Sequence, residues 1–269
     1  MIEWARPYFV CLWGVLWREA LRFIHQRERF IAALVRPLVW LFIFAVGFRS
    51  ILGVSIVPPY QTYITYETYI VPGLAAMIQL FNGMQSSLAL VYDREMGSMR
   101  ILLVSPMPRW FLLFSKLMAG TCVSVIQVYI FLLIARATIV DLPLAGLPAL
   151  LPVLLVTGMM LGAIGMLLSS TIRQLENFAG IMNFVIFPMF FLSSALYPLW
   201  RMREASDFLY WICALNPFTH AVETIRFALY LQAEPLALLI VCGSFLAFFF
   251  LAVLGYNPKR GLVQRRVTD

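Results

Sequence analysis

The chain's ordinary acid–base chemistry near neutrality rests on two histidines and thirteen carboxylates. His220 and Glu223 stand three residues apart, a spacing that puts both on one face of a helix. Such a pair admits two uses, a general acid–base couple acting on a lipid or a structural hydrogen bond. His25 lies among Arg22, Arg27 and Arg29, which is a basic surface setting, and is far from His220 in sequence. No G-x-x-x-x-G-K-[ST] phosphate loop, H-E-x-x-H, G-x-S-x-G or paired-cysteine motif occurs, so no nucleotide, zinc or serine-hydrolase chemistry is indicated. Amides and hydroxyls within apolar runs remain. Gln79, Asn82 and Ser86 recur at i, i+3 and i+7, one helical face, with Gln85 beside them. Thr121, Ser124 and Gln127 repeat the theme more weakly, and Asn183 is a further polar residue in an apolar run. Polar groups in hydrocarbon need partners. Gln79, Asn82, Ser86 and Asn183 are therefore candidates for lining a translocation path, and packing against neighbouring helices is the alternative.

The elements that must carry these residues follow from composition. Hydrophobic residues make up 62% of the 269, and charged residues 12%, against about 25% charged in soluble domains. The expected fold is an all-α polytopic membrane protein forming a single transmembrane domain over 1–269. An amphipathic interfacial helix is expected at about 4–30, with Trp4, Trp13 and Trp17 as anchors and Arg18, Arg22, Arg27 and Arg29 as a basic face. Six spans follow, at about 30–52, 69–92, 110–134, 147–170, 178–199 and 236–256. The first works only if Arg36 and Arg49 reach opposite interfaces. The fourth carries Gly158 and Gly162 in a G-x-x-x-G pattern, which fits either internal packing or a dimer seam. Pro188 predicts a kink in the fifth.

With six spans, both ends fall on one side. That side holds fifteen Lys and Arg and seven acids; the other holds five Arg and six acids. The basic side is the cytoplasmic one. The net charge of +7 is thereby accounted for by topology and does not indicate nucleic acid. Of Cys11, Cys122, Cys213 and Cys242, only Cys213 falls outside, so no disulfide framework is expected. No convincing signal peptide is read at the N-terminus. No carboxylate lies inside a span core, which argues against a proton-coupled carrier.

Between the second and third spans, Asp93-Arg-Glu-Met-Gly-Ser-Met-Arg-Ile-Leu-Leu-Val-Ser-Pro-Met-Pro-Arg109 is too charged to enter a bilayer. Met96, Met99, Leu102 and Leu103 give it one apolar, methionine-rich face. Such a helix can dock on another protein or lie on the lipid surface. From Trp200 to Glu234 the chain is again too charged to span, with Arg201, Arg203, Glu204 and Asp207. Asn216-Pro217 predicts an N-cap with proline at the first helical position. A helix to about Leu231 would follow, carrying Glu223 and Arg226 as an i, i+3 pair. Short external helices that dip back into the membrane are expected here.

Three stretches resemble the ABC-2 type permeases, the membrane subunits of ATP-binding-cassette exporters. They are Tyr69-Ile-Val-Pro-Gly73, Arg94-Glu-Met-Gly-Ser-Met-Arg-Ile-Leu-Leu-Val-Ser-Pro106 with Lys116 downstream, and Phe187-Pro188 through Leu192-Ser-Ser-Ala-Leu-Tyr-Pro198 followed by Leu215-Asn-Pro-Phe-Thr219 and Arg226. The resemblance implies a permease subunit of an ATP-driven exporter in the cell membrane, paired with a second copy or homologue and with two cytoplasmic ATPases. It implies no cofactor on this chain, with ATP and magnesium on the partner. Arg94, Glu95, Met96, Gly97, Met99, Arg100, Leu103 and Pro106 would form the coupling segment. Asn216, Pro217, Glu223 and Arg226 would belong to external re-entrant helices. Gly97 is followed here by Ser98 and Met99, where the family often has a bulky residue and then Thr or Ser. The aromatic, apolar spans suit a hydrophobic or amphiphilic substrate of the drug, lipid or glycolipid class. The rival expectations are an ion-gradient-driven carrier and a membrane-embedded lipid-modifying enzyme.

Overall fold

The computed structural model describes residues 2–25, 27–47, 59–60, 64–96, 107–172 and 174–256. Among them every extended element is helical: α1 (Ile2–His25), α2 (Arg27–Gly47), α3 (Tyr66–Glu95), α4 (Arg109–Thr138), α5 (Gly146–Thr171), α6 (Leu175–Phe191), α7 (Leu199–Ala205), α8 (Asp207–Leu215), α9 (Pro217–Leu229) and α10 (Pro235–Gly255). Four of these, α3, α4, α5 and α10, are long and apolar enough to cross a membrane. Ala33–Phe44 within α2 and Leu175–Phe191 are apolar but shorter.

α3 is the centre. Of its apolar window 67% is buried, against 17% for α10 on the perimeter. α5 packs along α3 and also meets α10 and α4, while α2, α6 and α9 lie against other faces of α3. The approach of α3 to α5 is set by missing side chains. A Cβ on Gly83 would stand 2.7 Å from the Gly162 Cα, and one on Gly158 would stand 3.0 Å from Gln79 Nε2 of α3. The G-x-x-x-G pattern is thus spent inside the subunit. Hydrocarbon gives helices no hydrophobic reason to associate, so this close contact is what dispersion needs.

Two boundaries differ from the sequence reading. α2 is described from Arg27, ahead of the expected start at Phe30, and residues 48–52 lie outside the described residues. α6 ends at Phe191, well short of Leu199. Past Pro188 the chain turns into a buried loop, where Ser193, Ser194, Ala195 and Leu196 are all at most 1% exposed. Side chains take up the backbone groups this turn releases. Ser193 Oγ donates to the Phe190 carbonyl, and Asn216 Nδ2 donates to the carbonyls of Met189 at 2.8 Å and Leu192 at 2.6 Å. Pattern reading saw one long apolar run and could not see these distant partners.

Candidate functional site

Three polar centres lie along α3. The first is at its Asp93 end. The Lys116 ammonium, on buried α4, donates to Asp93 Oδ2 at 2.7 Å. Arg94 donates to the Ile172 carbonyl just past α5, and its guanidinium lies 4.8 Å over the Tyr256 ring at the end of α10. Tyr256 in turn shares a 2.6 Å hydrogen bond with Ser169 of α5. Glu95 accepts from the Leu175 backbone N–H at the start of α6, where a carboxylate also meets the favourable end of the helix dipole. Three consecutive charges therefore each tie α3 to a different helix. Met96 follows and is 63% exposed. Gly97, Met99, Arg100, Leu103 and Pro106 lie outside the described residues.

The second centre is the amide face at mid-length. Gln79 is buried against α5, donating to the Leu154 carbonyl at 2.6 Å and accepting from Thr157 Oγ1 at 2.8 Å. One turn on, Asn82 bonds Gln127 of α4. Asn82 and Ser86 open onto a crevice that Glu19 and Arg22 of α1 and Lys116 of α4 also line. The i, i+3, i+7 face thus divides: Gln79 is sealed between helices, while Asn82 and Ser86 reach a cavity. Asn183 is in neither place; it is exposed on α6, with its amide against the Ala179 carbonyl.

The third centre lies at the Tyr66 end. Arg226 of α9 is 1% exposed. Its guanidinium donates to Glu223 Oε1 and, at 2.9 Å, to the Ser194 carbonyl, and it lies 4.1 Å over the Tyr69 ring. The Tyr69 hydroxyl donates to that same carbonyl at 2.9 Å, and Tyr66 donates to the Leu196 carbonyl. A Cβ on Gly73 would stand 2.8 Å from Ala195 backbone atoms, so the buried loop is pressed directly onto α3. Asn216 caps α9 by accepting from the Phe218 N–H, with Pro217 at the first helical position. Nearby, the Tyr60 and Tyr230 rings meet edge to face at 4.8 Å. Burial pushes the Tyr60 phenol up and the Tyr230 phenol up to about 12, so both stay neutral and Glu223 supplies the charge that balances Arg226.

The His220–Glu223 couple is not assembled. His220 Nε2 meets the Ala214 carbonyl at 2.9 Å, and Glu223 is taken by Arg226. Among the described residues no group of His, Cys, Asp and Glu could hold a metal ion. Sequence reasoning missed Tyr66, Ser194 and Tyr256 as partners. Only the Ser-Ser run hinted at one of these positions, and nothing local hinted at Tyr66 or Tyr256.

A family model described as ABC-2 type transporter matches residues 11–230. The chain is 30% identical over 200 residues to transport permease ycf38 of Porphyra purpurea, a match covering 73% of this chain and 66% of that one. It is 26% identical over 217 residues to transport permease ycf38 of Pyropia yezoensis, covering 80% and 72%. It is 31% identical over 169 residues to the multidrug ABC transporter permease YbhR of Escherichia coli (strain K12), covering 62% and 45%. The chain thus spans just under two thirds of the Porphyra relative and less than half of the Escherichia one. With apolar helices long enough for a bilayer and a family match over most of its length, this multi-pass membrane protein belongs to the ABC-2 type transporter family.

Proposed function

We propose that this chain is the permease subunit of an ATP-driven exporter, without catalysis of its own, moved by a separate cytoplasmic ATPase. In this reading α2, α3, α4, α5, α6 and α10 are the six spans of one transmembrane domain, and α1 lies in the interface. The Asp93 end and both termini face the cytoplasm, in the cell membrane. A second copy or homologue completes the translocation path, two ATPases hold the ATP and magnesium, and the substrate is hydrophobic or amphiphilic. The name of the Escherichia relative, a multidrug permease, is in keeping with that substrate class.

One observation carries the reading. Asp93, Arg94 and Glu95 bond α4, the end of α5 and the start of α6, directly before the amphipathic segment that ends in Pro106. A push on that segment would reach several spans at once. Arg94, Glu95 and Met96 would begin the coupling surface, and Gly97, Met99, Arg100, Leu103 and Pro106 would continue it. The outer helices around Asn216, Pro217, Glu223 and Arg226 would border the exit, and Asn82 and Ser86 would face the path. Deleting residues 96–103 should abolish co-purification of the ATPase while leaving membrane insertion intact. Co-purification that survived the deletion would refute the coupling assignment.

A further inference from the structure

We propose that the crevice between α1, α2, α3 and α4 binds an amphiphile with an anionic phosphate headgroup. Only its use in transport rests on the permease reading; the binding does not. Two adjoining cavities carry the inference. One, of about 70 Å³, is lined by Glu19, Arg22, Asn82, Ser86, Lys116 and Gln127. The other, of about 50 Å³, is lined by Arg36, Pro37, Ile78 and Phe81. Asn82 and Gln85 line both, so these are compartments of one groove. A single water needs roughly 10–15 Å³ by the same measure, so each compartment holds a few waters or one small polar group.

Charge decides the class of ligand. The one acid lining the groove, Glu19, is already held by Arg18 and Arg22, and the Lys116 that lines it is held by Asp93. Arg36 has no acidic partner among the described residues; its guanidinium lies 4.1 Å over the Phe81 ring. An arginine within an apolar helix calls for an anion or water. A guanidinium fork matches phosphate oxygens two at a time. The amides of Asn82 and Gln85 and the Ser86 hydroxyl lie where the rest of a polar head would rest. The apolar part of the ligand is provided for as well. Ala33, Pro37, Ile78 and Phe81 form the wall beside Arg36, and the neighbouring side chains of α2, Val35, Val39, Phe42 and Ile43, are exposed. The head would thus rest among polar groups in a groove open on one side, where Arg36 is itself exposed, with the tail on an apolar surface, which suits a lipid-like molecule better than a free anion.

The test uses the purified full-length protein in nonionic detergent, with bound lipid read by native mass spectrometry. Phosphatidylglycerol should be retained over phosphatidylcholine of the same chains by about tenfold, the worth of one good charge-assisted contact. Arg36→Gln should remove that preference. Arg36→Lys should keep part of it, and Arg203→Gln, at the far end of the molecule, should keep all of it. Equal retention of the two lipids, or an unchanged preference in a folded Arg36→Gln, would overturn the proposal. Displacement of phosphatidylglycerol by inorganic phosphate at matched concentration would also overturn it, by assigning the site to a soluble anion. If the wild-type protein showed the headgroup preference but co-purified with no ATPase, the permease reading would fail and this site would stand.

Discussion

Replacing Gly83 with alanine should force α3 and α5 apart. The added Cβ would stand 2.7 Å from the Gly162 Cα and 3.0 Å from its nitrogen, where ordinary contact begins at 3.4 Å. Both obstacles are backbone, so neither can rotate away, and the helices must separate locally by about 0.7 Å. A radial gap of that size forfeits roughly a quarter to a half of each dispersion contact it opens. Overpacking costs about 1–3 kcal/mol, and alanine returns about 1 kcal/mol of helix propensity, so a net loss of up to about 2 kcal/mol is expected. Thermal unfolding in detergent, followed by loss of the monodisperse size-exclusion peak, measures it. Gly162→Ala should be milder, because its Cβ would meet Leu117 Cδ1 at 2.6 Å, the movable end of a side chain. Gly243→Ala, with nothing within 4 Å, should show no loss. If Gly83→Ala unfolded at the wild-type temperature but altered self-association, the glycine seam would lie between copies and the packing account would be wrong.

Four further substitutions address the Tyr66 end. Arg226→Gln should cost about 3 kcal/mol, the low end for breaking a buried ion pair, because Glu223 keeps 20% of its side-chain surface exposed. Adding Glu223→Gln should cost much less than its single effect; simple additivity in that double-mutant cycle would show the pair is not coupled. Asn216→Asp should destabilise at least as much as Asn216→Ala, although aspartate is as good an N-cap. The reason is that Asn216 Nδ2 also donates to two carbonyls, a task a carboxylate reverses into repulsion. An Asn216→Asp protein as stable as wild type would reduce that residue to a simple cap.

The long apolar helices were legible because hydrocarbon imposes one rule on length and composition. α3, α4, α5 and α10 begin and end within a few residues of the expected spans. The cap at Asn216 and the Glu223–Arg226 pair were legible because both are local, set by spacing along one turn. What pattern could not supply was long-range partnership. The early end of α6 depends on an amide from Asn216, and the role of Glu95 depends on a backbone N–H at Leu175. The polar face of α3 was read as a unit, yet helix packing seals Gln79 and leaves Asn82 and Ser86 open, a division no periodicity encodes. Asn183 is exposed on α6, a placement that its residue type alone did not give.

α3 runs unbroken for thirty residues, about 45 Å at the usual rise per residue. Its last turn grips α4, the end of α5 and the start of α6, and its first turn grips the buried loop after α6 through Tyr66 and Tyr69. Two distant surfaces of the molecule therefore share a single axle. A twist or slide applied at Asp93 must arrive at Tyr66, unless it is lost as bending near Pro72, where the rod lacks a backbone donor.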